Sequence, residues 1–417
     1  MSLEYTSRLM ESVWRVNFRK PFVHLVFGAR QTGKSTLILQ ILPKDALIIN
    51  LADPRERNIL ALRPGSLIDR CHALPPRSDP YTIFIDEAQN LPEVFDSVQV
   101  LYEGDPQKYR FILCGSSARK LRASGTNRLP GRSLMHNLFP LSTLEYQSAD
   151  SHPLNPILDF LEIPVTDLPL PFPKRSLEDR MVFGDLPGIT KVSNLEDRGM
   201  ILESYTNAHL EEEIRRETII KDWTPFLRFL RFSARESGKI INIHNISKET
   251  GISGPTIKSY YQLLEDMYQG FSVPAWSGSS RKSTLSSSRF FFFDNGVRNA
   301  AAAFPLTLDL VNIDPGSLFE HFVGTNLYRL TQLHRQNQLL YWRTADGAEI
   351  DFILERSGKL LPIEVKWTEA PTIKDARHLI NFIKENDNLC TQGILICRCP
   401  FPLALSENII ALPWWAV

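Results

Sequence analysis

Residues 23–42, VHLVFGARQTGKSTLILQIL, decide how the first third of this 417-residue chain folds. The apolar run VHLVFG reads as a strand covered on both faces, and TLILQIL as the opening of a helix. Between them GARQTGKS, residues 28–35, fits the pattern G-x-x-x-x-G-K-[ST] in the strand-then-helix setting that the pattern requires. Glycines there let backbone N–H groups close around phosphate oxygens, and the helix N-terminus adds its positive dipole end. The expected nucleotide-binding residues are Gly28, Ala29, Arg30, Gln31, Thr32, Gly33, Lys34, Ser35 and Thr36. Lys34 is placed to reach the β- and γ-phosphates, and the Ser35 hydroxyl to ligate Mg²⁺.

Working outward, ALIINLA (46–52), YTIFID (81–86) and YRFILCG (109–115) are further apolar runs separated by helical patterns. That rhythm predicts a parallel α/β sheet. In IFIDEAQ, Asp86 ends a strand and is suited to hold Mg²⁺, while Glu87 beside it is the expected base for the attacking water. Ser116 and Ser117 close the strand FILCG and are candidate sensors of the γ-phosphate. The implied cofactors are ATP and Mg²⁺.

Composition narrows the class. With 43% hydrophobic and 23% charged residues the chain is a folded, soluble protein, and its length predicts several domains. Lys and Arg number 47, as do Asp and Glu, so no global field attracts nucleic acid, and any such contact must come from a local patch. Five scattered cysteines form no CxxC pair, which suits reduced thiols in a cytoplasm. The first residues lack a signal-peptide core, and no apolar run is long enough to span a bilayer. The expectation is a cytoplasmic protein with no membrane partner. Pro-rich HPLNPILDFLEIPVTDLPLPFPK marks a boundary, giving expected divisions at 1–150, 151–235, 236–300 and 301–417.

The segment 241–267, INIHNISKETGISGPTIKSYYQLLEDM, reads as a helix-turn-helix with Ile257, Tyr261 and Leu264 facing a core. The Ser-rich stretch and RFFFF after it resemble a wing. Candidate DNA contacts are Lys258, Arg281, Lys282 and Arg289. Further on, 348–367, AEIDFILERSGKLLPIEVKW, predicts a hairpin that brings Asp351 beside Glu364 and points Lys366 to the same face. Two such carboxylates suit a hard cation, Mg²⁺ or Mn²⁺, with the lysine orienting water or offsetting phosphodiester charge. Glu320 in FEHFV is a further candidate ligand, and Glu349 shares the Asp351 face.

In order and content, GARQTGKST, FIDEAQN, ILCGSSARKL, LPGRSLMHNLFPLSTLEY, FFFDNGVRNA, GSLFEHFVGTNL and LPIEVKW resemble the prokaryotic predicted AAA+-superfamily ATPases. The resemblance implies a P-loop domain of the ASCE/AAA+ type, with the strand ending at Ser116 between the two nucleotide-site strands. A helical lid, a winged helix and a C-terminal α/β domain are expected to follow. The acids Glu320, Asp351 and Glu364 with Lys366 resemble the PD-(D/E)XK nuclease pattern of restriction-endonuclease-like folds. The family also draws attention to Arg132 in PGRS as an arginine finger or sensor, with Arg119 and Arg128 as alternatives. The expected function is an ATPase coupled to a nuclease-like domain acting on DNA, with a homo-oligomer as a further partner. The alternative is a nucleotide-switched regulatory or protein-interaction module whose nuclease-like domain is inactive.

Overall fold

A computed structural model describes residues 5–117, 131–146, 155–163, 175–216, 223–278, 287–334, 336–344 and 346–417. The chain divides into two compact units. One comprises residues 1–139 with 266–269, the other 140–265 with 270–417.

The first unit is built on five parallel strands: β1 (Val23–Phe27), β2 (Leu47–Asn50), β3 (Tyr81–Asp86), β4 (Tyr109–Gly115) and β5 (Ser133–Asn137). Their order across the sheet is β2-β3-β4-β1-β5, so β4 separates the strand before the glycine loop from the strand ending at Asp86. Every residue of β1 and β4 is buried, as their mostly apolar runs require when helices cover both faces, and His24 and Arg110 are buried with them. Val23, Leu25 and Phe27 join one core with Ile83, Ile85, Phe111 and Leu113. Val26, from the opposite face, packs with Leu37 and Ile38 of helix Lys34–Ile41 and with Trp14. Parallel strands carry their C-terminal ends to one edge, where ligands of open α/β sheets bind.

In the second unit, helix Trp223–Arg235 is followed by helices Ile243–Thr250 and Gly254–Asp266, then by β6 (Gly270–Val273) and β7 (Arg289–Phe292), which pair antiparallel. Ile257, Tyr261 and Leu264 are buried, as their spacing predicts. Helix Pro315–Thr331 leads into β8 (Asn337–Arg343), β9 (Glu349–Arg356), β10 (Lys359–Val365), β11 (Gly393–Cys397), β12 (Leu403–Ser406) and β13 (Ile409–Pro413). These six strands lie in the order β12-β13-β11-β10-β9-β8. Helix Arg377–Glu385 buries Leu379, Phe382 and Ile383 in the core beneath them.

The main segment of the first unit ends at 139, and the second unit runs through the expected divisions near 235 and 300. A buried polar network lies within the second unit. The Asp185 carboxylate accepts from Arg180 Nε (2.9 Å), Arg329 NH1 (3.2 Å) and the Tyr146 hydroxyl (3.0 Å). Burial alone would raise this carboxyl, but Arg180, Arg329 and Arg175 hold it down at about 2. Thr143 donates its N–H and hydroxyl to Asn326 Oδ1 at 3.0 and 3.1 Å. Segments drawn from three of the four expected divisions thus share one set of buried polar groups.

Candidate nucleotide site and acidic pocket

The glycine loop leaves β1 with Gly28 at φ +154° and enters its helix through Gly33 at φ +89°. A Cβ on Gly28 would lie 2.2 Å from the Leu138 carbonyl oxygen, so only glycine lets the loop pass β5. Lys34 is buried and its ammonium donates to the carbonyls of Gly28 (2.9 Å) and Ala29 (2.8 Å). The Ser35 hydroxyl donates to Asp86 Oδ1 at 2.9 Å, so the last loop residue and the end of β3 meet. The two oxygens fit a Mg²⁺ ion carried by a nucleotide triphosphate.

Glu87 adopts a left-handed backbone, φ +53°, which costs a non-glycine residue about 1–2 kcal/mol. The side-chain amide of Gln89 donates to Glu87 Oε2 and lies 3.1 Å from the Ser116 hydroxyl. Gln89 therefore ties the expected base to the end of β4, a link the sequence reading missed. Ser116 and Ser117 are both buried at that strand end. Arg8 was also missed. Its guanidinium donates to the Thr32 carbonyl (2.9 Å) and the Phe139 carbonyl (2.6 Å), bracing the loop from an N-terminal segment. No local pattern marks it, because the contact spans up to 131 positions.

Arg132 is a correction. Ser133 pairs with Val23, so Arg132 precedes β5 at the start of β1, the sheet edge away from the glycine loop. Five residues of strand, roughly 16 Å, separate those edges. There Arg132 pairs with the exposed Glu103, and it is no sensor for its own chain's nucleotide. Arg119 and Arg128 lie outside the described residues.

The second constellation forms where β9 and β10 turn back on each other. Ser357 and Gly358 both have positive φ, 49° and 77°, a turn whose twist suits a two-residue hairpin. The last pair of the ladder is Ile363 with Phe352, and beyond it Asp351 and Glu364 line one cavity. Asp351 Oδ2 accepts from the Val365 N–H at 2.8 Å, and Lys366 Nζ donates to Glu364 Oε1 at 2.5 Å. Glu364 Oε2 is buried with no hydrogen-bond partner among the described residues. A cavity of about 550 Å³ opens here, lined by Glu320, Glu349, Asp351, Glu364 and Lys366. Gly347, Asp375 and the bases Lys374, Arg377 and His378 complete its wall. These three bases escaped notice because cations around a helix start read as ordinary surface.

Burial and the Glu364 carboxylate push Asp351 up to about 7, and burial likewise raises Glu364. Burial draws Lys366 down, but Glu364 and Asp351 hold it above the usual lysine range. Glu320 is raised to about 7, chiefly by burial, against the pull of Arg289.

Arg289 is the second correction. It does not stand on an exposed wing. It is 4% exposed, its NH2 contacts Glu320, its NH1 donates to the Asp351 carbonyl at 3.0 Å, and it lies 3.9 Å from Glu349 Oε1. A buried guanidinium serving these acids has no fork left for DNA. Glu320 correspondingly has its cation already. Among the described residues no three His, Cys, Asp or Glu side chains form a group able to hold a metal, so the expected triad of Glu320, Asp351 and Glu364 is not assembled. Lys258 is exposed on its helix, while Arg281 and Lys282 lie outside the described residues. No helix among the described residues is long and apolar enough to cross a membrane.

Comparison with known proteins bears on the first site. A family described as "AAA domain" matches residues 20–147. Residues 20–147 are an AAA-type ATPase domain. Two families described only as domains of unknown function match residues 174–308 and 315–417. An uncharacterised protein of Mycobacterium tuberculosis is 26% identical over 363 residues, 86% of this chain and 73% of its own length. An uncharacterised protein of Haemophilus influenzae is 20% identical, over 88% of this chain and 87% of that one. Among solved structures, the RuvB protein of Thermotoga maritima shares 13% identity, covering 66% of this chain and 91% of that one, with a TM-score of 0.28.

Proposed function

We propose that this protein is an ATP-hydrolysing switch whose second unit binds DNA and cuts it at the acidic pocket. The observation that carries the reading is that Asp351 and Glu364 line one cavity, with Lys366 bonded to Glu364. In the first unit, loop amides and Lys34 hold the triphosphate, and Ser35 and Asp86 hold its Mg²⁺. Glu87, aimed by Gln89, accepts the proton of the attacking water. Ser116, reached by the same amide, couples that event to β4.

In the second unit Asp351 and Glu364, both raised by burial, share one lysine, Lys366, and Glu364 Oε2 has no hydrogen-bond partner among the described residues. That supports a divalent cation held by Asp351 and Glu364, which when bound supplies Lewis acidity toward a phosphodiester. Lys366 keeps its proton beside both acids and offsets charge on the reacting phosphate. The helix-turn-helix arrangement and paired β6 and β7 support reading residues 236–300 as a winged helix.

A second reading has its own support. Arg289 already neutralises Glu320, which suits a regulator whose nuclease-like fold is inactive. One set of assays decides. Plasmid and single-stranded DNA are incubated with Mg²⁺ or Mn²⁺, with and without ATP, using wild type, Asp351→Ala and Lys366→Ala. Cleavage lost in both variants supports the nuclease; no cleavage by wild type leaves the regulator. In parallel, Glu87→Gln should lower ATP turnover by about 100-fold or more while retaining nucleotide binding. Undiminished turnover would remove Glu87 from its role.

A further inference from the structure

The helix Trp223–Arg235, WTPFLRFLRFSAR, carries three arginines and no acidic residue, in a chain whose formal charge is zero. Its buried side consists of Phe226, Phe229, Leu230, Ser233 and Ala234. Phe226 meets Tyr260 at 5.0 Å between ring centroids, and Phe229 meets Tyr261 at 4.9 Å, so this side packs on helix Gly254–Asp266. Arg228, Arg231 and Arg235 are exposed on the other side. At about 100° per residue they fall within an arc of roughly 60°.

Arg228 and Arg231 make no hydrogen bond or ion pair among the described residues. Arg235 donates Nε to the Ala302 carbonyl at 3.1 Å and lies over the Phe304 ring. Glu236, the acid that follows the helix, is paired with Lys239 at 3.0 Å. The second helix of the helix-turn-helix is poorer in charge, with Lys258 as its one exposed cation.

We propose that DNA is held along the outer face of helix Trp223–Arg235, with Arg228, Arg231 and Arg235 gripping successive phosphates of one strand. This rests on the DNA part of the reading above and moves the contact away from helix Gly254–Asp266. From Arg228 to Arg235 the helix rises about 10 Å, which spans about three phosphates at 3.4 Å of axial rise per strand. Guanidinium forks match phosphate oxygens in pairs. With all three guanidiniums committed to phosphates, the grip is independent of sequence.

The test uses the full chain and a short fluorescent duplex, reading anisotropy between about 50 and 200 mM salt. The Arg228→Gln/Arg231→Gln variant removes two phosphate contacts without touching Arg235, whose Nε is structural. Its salt slope should be shallower by about 1.8 and its affinity at the lowest salt at least about tenfold weaker. Lys258→Gln should change affinity less than about twofold. An unchanged melting temperature in the double variant, measured alongside, attributes the loss to the surface.

Wild-type binding unaltered in the double variant would overturn this placement alone, as would a larger loss with Lys258→Gln. Absence of duplex binding by wild type would overturn the DNA reading itself. Arginine-dependent binding to vesicles of phosphatidylserine, with none to duplex, would overturn the proposal in favour of a lipid surface.

Discussion

Replacing Asp351 with Asn should make the protein more stable at pH 8. Burial and the facing Glu364 push the Asp351 carboxyl up to about 7. A carboxyl raised by folding leaves stability intact below its ordinary pKa of 3.8, and that stability is lost as pH rises through the folded value. A shift of about three units corresponds to about 4 kcal/mol at alkaline pH. Asp351 is partly exposed to the cavity, and solvent screening reduces that to about 2 kcal/mol. For a unit of this size the gain is roughly 4 °C in melting temperature. Asn keeps an oxygen for the Val365 N–H, so the hairpin is not cut. Calorimetry of wild type and Asp351→Asn without divalent ions, at pH 8 and pH 5, checks the sign. The gap should shrink to less than half at pH 5, where the folded wild type is already protonated. A variant that melts lower at both values, or a gap independent of pH, would refute the reasoning, because Asp351 would then be a structural anchor.

Gly28→Ala should abolish nucleotide binding while leaving the fold intact, since the added methyl meets the Leu138 carbonyl. Titration calorimetry with an unhydrolysed ATP analogue reads this, and an affinity within about tenfold of wild type would show that the loop yields. Asp185→Ala should cost about 3–5 kcal/mol, because it strands the buried guanidiniums of Arg180 and Arg329. Urea unfolding followed by tyrosine and tryptophan fluorescence measures it, and a loss below about 1 kcal/mol would mean that the arginines find other partners.

What the sequence disclosed followed from local rules. The glycine loop was readable because strand, turn and helix are contiguous there, and the order of residues carries the chemistry. The meeting of Asp351 and Glu364 was readable because a two-residue turn at Ser357–Gly358 fixes the register for every pair above it. Arg289 was misread for the opposite reason. Beside a run of serines it looks exposed, and its partners Gly238, Glu320 and Asp351 lie 51, 31 and 62 positions away. Arg132 sits in a family-like Gly-Arg pair, but its edge of the sheet is set by the pairing of β5 with β1. The basic side of Trp223–Arg235 went unread in the sequence, because only the packing of Phe226 and Phe229 shows which side is left outside.

Residues 266–269 are counted with the first unit although about 130 residues of the second come before them. Within that first unit Tyr268 lies flat against Phe27, the last residue before the glycine loop, with ring centroids 6.0 Å apart and planes 14° from parallel. The polypeptide therefore passes between units at 139/140, 265/266 and 269/270. A fragment ending near 150 therefore lacks the ring that lies on Phe27, and taking the first unit whole requires both of its segments.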